Sequence, residues 1–377
     1  DFAAKGSLIT GDPLKRARGT EVDVEFNNIA TAIETLNTSK AVTAGSSTQA
    51  FSATTAAEGT NTTQVATTAF VQAAVGIGFK NKIIGGDFTI NPWQRGTSFP
   101  AIASNTYFAD RWAVGYATTA VTTASKVADS PTAVQAGIFT QHCISVAVTT
   151  ADTSIAASDL YILRQHIEGL NAASFGFGQS GSRNVTLSFW VKGTKTGIHC
   201  VRLANGAQTR SYVAEYTIVA TNTWEYKTIT VPVDTAGTWL YDTGVGLDLS
   251  FSLMAGTTFK TTANTWTAGN FIATANQVNA LDSTANVFKI ALVQLEAGSV
   301  ATKFDVRSVG QELSLCQRYY EIIYGALHTV QYYLPWAFKQ TKRATPTFVA
   351  LSATNGGTLN PGTIYTVHIK RPMPHQQ

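Results

Sequence analysis

Aromatic side chains on polar loops are the residues of this 377-residue chain best suited to holding a ligand. Trp239 and Tyr241 stand in DTAGTWLYDTG, and Trp266 stands in TTANTWTAGN. A flat aromatic ring can stack on the apolar C–H face of a sugar, while flanking Asn, Asp and Gln fix the hydroxyls. Loops on a rigid scaffold are common places for such contacts. The competing reading is that each ring caps the end of a sandwich core. Trp190 lacks the loop setting, because it sits inside an alternating strand. Trp93 and Trp112 are expected in the core or at its rim.

Other chemistries find little support. His142-Cys143 and His199-Cys200 are adjacent pairs, and neighbours on a strand point to opposite faces, so at most one of each pair could reach a common zinc ion. No metal or cofactor is expected. The segment GFGQSG (176–181) has the spacing of a dinucleotide loop, but the strand-like SRNVTLSFWVK follows it where a helix is required, so it is read as a turn. Nucleophile elbow, Walker, H-E-x-x-H and C-x-x-C patterns are absent from the sequence. Glycan hydrolysis needs two carboxylates flanking the bond. The acids Asp110, Glu168, Glu215, Glu225, Asp234, Asp242, Asp248, Asp282 and Glu296 form no close pair in sequence. No catalytic residue is assigned, and a non-enzymatic protein is expected.

The scaffold that would carry these loops is β-rich by composition. Charged residues make up only 13% of the chain, whereas Thr fills 55 positions. Thr is β-branched and fits a pleated, half-buried surface. Alternation is clear in Val185, Leu187, Phe189, Val191; in Tyr212, Ala214, Tyr216, Ile218; and in Leu247, Leu249, Phe251, Leu253. WEYKTITVPV (224–233) is a further run, and VFKIALVQLEAG (287–298) is apolar on both faces at its middle. Short strands separated by Gly/Asn/Thr turns predict a β-sandwich.

A helix is predicted near the start. Val22, Phe26, Ile29, Ile33 and Leu36 are spaced 4, 3, 4, 3, a heptad seam with Ile at both core positions, the pattern that favours trimers. Spacing alone leaves open an amphipathic helix docked on its own chain. Residues 41–79 then contain a single charge, Glu58, with ten Ala and nine Thr, and read as a shaft or linker. A second helix is predicted in GQELSLCQRYYEIIYG (310–325), closed by Gly325. VQYYLPWAF, TFVALSA and TIYTVHIK suggest a few strands at the end. The domains are therefore drawn at 1–40, 41–80, 81–308 and 309–377.

Net charge is +4, and residues 308–377 supply it with six Lys/Arg against Glu312 and Glu321. Such a tail suits anionic partners such as polysaccharide or nucleic acid, although scattered surface charge explains it as well. No apolar run reaches the roughly 20 residues that span a bilayer, so membrane insertion is not expected. The start carries neither a signal-peptide pattern nor an initiator Met, and is read as a processed chain or a fragment. Cys143, Cys200 and Cys316 are too few and too scattered for a disulfide framework and suggest a chain made in a reducing cytoplasm.

Three segments resemble bacteriophage tail-fibre proteins. GDPLKRARGTEVDVEFNNIATAI (11–33) is similar to the N-terminal segment of many fibres, and NTTQVATTAFVQAAV (61–75) to an element that punctuates fibre shafts. Residues 82–325 resemble a carbohydrate-binding-module-like fibre domain through IIGGDFTINPWQRGTSF, YFADRW, SFWVKGTKTG, RSYVAEYTI, TWEYKTITVP and VQLEAGSVATKFDVRSVGQELSLCQRYY. The resemblance implies a jelly-roll sandwich in a homotrimeric virion fibre, assembled in the host cytoplasm. One end would meet the phage tail, a baseplate or an adaptor protein. The other would meet bacterial surface polysaccharide or lipopolysaccharide, with no nucleic-acid partner. It carries no defined sugar contacts, and the segment after residue 350 matches no fibre pattern. A purely structural adaptor and a polysaccharide depolymerase are the alternatives.

Overall fold

The computed structural model describes residues 10–12, 19–39, 79–322 and 337–347. The chain divides into two units, Asp1–Gly76 and Ile77–Gln377. The shaft at 41–79 lies outside the described residues except for Phe79, and the C-terminal strand predictions fall almost wholly outside them.

In the first unit, helix α1 spans Gly19–Ser39. Its 21 residues make a rod of about 31 Å at 1.5 Å per residue. The seam residues Val22, Phe26, Ile29, Ile33 and Leu36 all fall within it. Phe26, Ile29 and Ile33 are exposed, Phe26 by 66%. Thr31 and Thr35 return their hydroxyls to the carbonyls of Asn27 and Thr31.

The second unit is mainly β. Its strands are β1 (Ser98–Phe99), β2 (Trp112–Ala117), β3 (Val121–Val127), β4 (Cys143–Thr150), β5 (Leu160–Glu168), β6 (Val185–Gly193), β7 (Gly197–Asn205), β8 (Arg210–Ile218), β9 (Glu225–Val231), β10 (Val245–Ala255), β11 (Trp266–Ala268) and β12 (Val287–Ala297). They form two antiparallel sheets ordered β1-β3-β4-β12-β6-β9 and β11-β8-β7-β10-β5-β2. Consecutive strands pair as hairpins at β3–β4 and β7–β8. Most other connections cross between the sheets, which closes a sandwich.

The alternating residues read from the sequence are the ones that meet in the interior. Phe189 of β6, Tyr216 of β8 and Phe251 of β10 converge, with Phe189 5.1 Å from Tyr216 and 4.9 Å from Phe251. β12 is apolar on both faces because a bulge between Ala291 and Gln294, with Leu292 at φ 48°, turns successive side chains to different layers. Val293 enters the main core, while Ala291 and Leu292 join Cys143 and Trp224 on the outer side.

The stretch before β2 closes one part of the sandwich. Trp112 and Trp93 are buried, and their indole N–H groups donate to the carbonyls of Gly85 and Phe88, each at 3.0 Å. Gly85 has φ +67°, and a Cβ there would collide with the Asn91 amide, so this corner requires glycine.

Helix α2 (Val309–Gln317) begins with a capping box between Ser308 and Gln311. It ends eight residues before Gly325, earlier than the sequence pattern suggests. The next three side chains leave the helix for partners on the sandwich. Arg318 and Tyr319 bond Glu168, and Tyr320 lies 3.5 Å from the Arg95 guanidinium.

Candidate functional site

The three aromatics singled out in the sequence meet at one end of the sandwich, but they are not equally open. Trp239 is only 7% exposed. Its ring stacks on Phe177 with centroids 4.5 Å apart and stands perpendicular to Trp266 at 5.5 Å. Its indole N–H is spent on Ala236 O at 2.8 Å. A ring enclosed in this way presents no flat face to a ligand, so for Trp239 the core-capping role describes the geometry. Trp266 opens β11 rather than standing in a loop, and pairs with Tyr212 of β8. It is half-buried, and its N–H donates to Pro232 O at 2.7 Å. Tyr241 is 39% exposed and donates its hydroxyl to Phe177 O, while Gln179 donates to that hydroxyl at 3.3 Å.

GFGQSG is the turn that builds this cluster. Gly176, Gly178 and Gly181 all have positive φ, and no helix follows before β6. At Gly178 a Cβ would stand 3.1 Å from Trp239 and 3.2 Å from the Tyr241 hydroxyl. Glycine lets the backbone approach both rings. The turn is pinned by Gly178 N–H donating to Asp234 O at 2.7 Å. Arg210 grips the Asp234 carboxylate through two hydrogen bonds, 2.6 and 3.0 Å long.

A second aromatic pair was not anticipated. Trp190 of β6 and Tyr226 of β9 are cross-strand neighbours on the outer face of the first sheet, with centroids 5.3 Å apart. Trp190 is half-buried and Tyr226 exposed. The signal was present in the alternation itself: if Phe189 and Val191 face the core, Trp190 must face outward.

The His199-Cys200 pair splits across the two faces of its strand. His199 points inward against Tyr216 and Phe288, while Cys200 lies on the opposite face near Thr274. Burial pushes the Cys143 thiol up to about 12, out of the reactive range. Among the described residues, no group of three His, Cys, Asp or Glu side chains could hold a metal ion.

Several sequence-level acids are held by cations. Asp110 pairs with Arg95, Glu168 with Arg318, Asp234 with Arg210, Asp248 with Arg202, Asp282 with Lys195, and Glu225 with Lys227. Asp129, which the sequence reading passed over, receives both Lys192 at 2.9 Å and Lys289 at 2.6 Å, together with the Trp224 indole at 3.0 Å. No helix among the described residues is long and apolar enough to cross a membrane.

No protein-family model matches this chain, and no curated protein does. Solved structures give distant likenesses. The enzymatically active domain of tailspike protein 4 from bacteriophage CBA120 is 13% identical with a TM-score of 0.32, over 58% of this chain and 21% of that one. A family 61 carbohydrate-binding module solved with β-1,4-galactotriose is 10% identical with a TM-score of 0.29, over 58% of this chain and 98% of that one. A family 11 carbohydrate-binding module from Clostridium thermocellum, solved with a β-1,3-1,4-mixed-linked tetrasaccharide, is 11% identical with a TM-score of 0.27, over 54% and 98%. The chain thus spans about a fifth of the tailspike. At these values the likenesses fix neither ligand nor role.

Proposed function

We propose that this chain is a non-catalytic bacteriophage tail-fibre protein that attaches the virion to a saccharide on the bacterial surface. The observation that carries the reading is the aromatic end of the sandwich. Phe177 and Trp239 are buried and hold Tyr241 and Trp266 in fixed positions at the surface. Rings already ordered before binding lose little freedom when a sugar stacks on them. Gln179 and the Asp234–Arg210 pair supply polar groups beside them.

The exposed apolar stripe of α1 supports assembly as a homotrimer, since an isolated helix with such a stripe gains most of its stability by packing. In this reading the N-terminal segment faces the phage tail, baseplate or adaptor, and the sandwich faces a polysaccharide or lipopolysaccharide. Binding of the purified chain to bacterial surface polysaccharides, with simultaneous assay for released oligosaccharide, tests the reading. Binding without release is expected. Release of oligosaccharide indicates a depolymerase, and no binding to any surface glycan indicates a structural adaptor.

A further inference from the structure

A cluster of guanidinium groups on the outer face of the second sheet exceeds its carboxylates. Arg202 of β7 and Asp248 of β10 are each 1% exposed and pair at 2.6 Å, with His166 of β5 3.7 Å from the same carboxylate. Beside them is a cavity of about 30 Å³ lined by Tyr107, Arg111, His166, Glu168 and Arg343, among others. Glu168 is fully engaged: Arg318 bonds it at 2.5 and 2.9 Å, and the Tyr319 hydroxyl bonds it at 2.6 Å.

Among the described residues, neither Arg111 nor Arg343 hydrogen-bonds a carboxylate, although Arg343 acts through space on Glu168 and Arg111 on Asp110. Arg111 is 8% exposed, lies 3.5 Å from the Tyr319 ring centroid, and donates one Nη to His166 O. Its Nε is buried without a partner. Among the described residues, the Arg343 guanidinium donates to Thr243 O at 2.8 Å, and its backbone N–H donates to Arg318 O at 3.2 Å. The nearby Asp242 carboxylate accepts from Gly244 N. A buried guanidinium with an unspent donor is costly unless an acceptor reaches it.

We propose that this cavity receives the carboxylate of an acidic sugar, a uronic acid within a surface polysaccharide. Arg111 and Arg343 supply the charge, and Tyr107 lines the cavity with them. A volume of about 30 Å³ admits one water-sized group, so the carboxylate enters by one oxygen with the sugar ring left outside. A guanidinium N–H donates a charge-assisted hydrogen bond to a carboxylate oxygen, stronger than one between neutral groups. This assignment rests on the saccharide-binding reading and narrows its ligand to acidic glycans.

Titration of the full chain with glucuronate, glucose and glucose 6-phosphate tests it. The expected result is binding of glucuronate in the millimolar range, at least ten-fold weaker binding of glucose, and weakening of glucuronate binding as salt rises. Arg343→Gln, at an exposed position, should reduce glucuronate affinity several-fold while leaving the melting temperature unchanged. Arg111→Met should reduce it further. Equal affinity for glucose and glucuronate, tighter binding of glucose 6-phosphate, or an unaltered Arg343→Gln affinity overturns the proposal. If neutral polysaccharides still bind in that case, the saccharide reading survives and only the pocket fails. If nothing binds, both fail.

Discussion

The indole of Trp239 lies on the ring of Phe177, with centroids 4.5 Å apart and planes 27° from parallel. The pair forms the buried half of an aromatic cluster whose open half is Tyr241 and Trp266. Under the proposed saccharide reading, stability and binding therefore divide between neighbouring residues. Trp239→Ala should cost about 3–5 kcal/mol, the usual range for emptying a buried indole site. Denaturant unfolding of the two chains checks this. A cost below about 1 kcal/mol would mean that the ring is not part of the core.

Asp129 provides a pH signature. Burial alone would raise its carboxyl, but hydrogen bonds from Lys289, Lys192 and Trp224 outweigh that and hold it at about 2, against an ordinary value of 3.8. A depressed carboxyl stabilises the fold above its unfolded value and loses that contribution as pH falls towards its folded value. The site is partly open to solvent, so the contribution is about 1–2 kcal/mol after screening. The stability gap between wild type and Asp129→Asn should be constant above pH 5 and shrink between about pH 4 and 2. A gap independent of pH would contradict the assignment.

The buried pair Arg202–Asp248 should behave asymmetrically. Asp248→Ala leaves a guanidinium at 1% exposure without its carboxylate and should cost about 3–5 kcal/mol. Combining Asp248→Leu with Arg202→Met should recover most of that loss, because both charges leave the interior together. Equilibrium unfolding of the single and double variants separates these outcomes. A double variant no more stable than Asp248→Ala would show that the site depends on the charges themselves.

Much of the sandwich was legible because several strands, such as β6 and β10, alternate large apolar with polar or smaller residues even where both faces are buried. Phe189, Tyr216 and Phe251 were assigned inward from period-two alternation, and they meet there. The bulge in β12 was visible only as a run apolar on both sides. Position along the chain was a poor guide to exposure at the aromatic end of the sandwich. Trp239 sits in a polar loop and is buried, because the Gly176–Gly181 turn folds Phe177 beneath it, a contact between residues 62 apart in sequence. Trp190 sits in a strand and yet faces outward beside Tyr226, because strand placement excludes only one of two faces. The guanidinium cavity was not legible at all: Arg111, His166 and Arg343 come from three distant segments, joined when the chain after α2 returns to the sheet.

The seam of α1 yields a prediction about assembly. Val22, Phe26, Ile29, Ile33 and Leu36 should close around a three-fold axis, so the intact chain should sediment as a trimer at micromolar concentration. Ile29→Asp should weaken it, since a charge at a seam position has no partner in the packed state. A wild-type monomer would contradict the fibre reading.

Saccharide titration of matched variants tests the central claim most directly. Wild type, Tyr241→Ala and Trp266→Ala are each titrated calorimetrically with a bacterial surface polysaccharide that the wild type binds. Their melting temperatures are recorded alongside, so that any loss of binding is measured on folded protein. The account predicts that Tyr241→Ala binds at least about ten-fold more weakly, a loss of about 1.4 kcal/mol or more, with a melting temperature within a few degrees of wild type. Unchanged affinity in both variants, with both folded, would contradict it and place the saccharide elsewhere on the molecule.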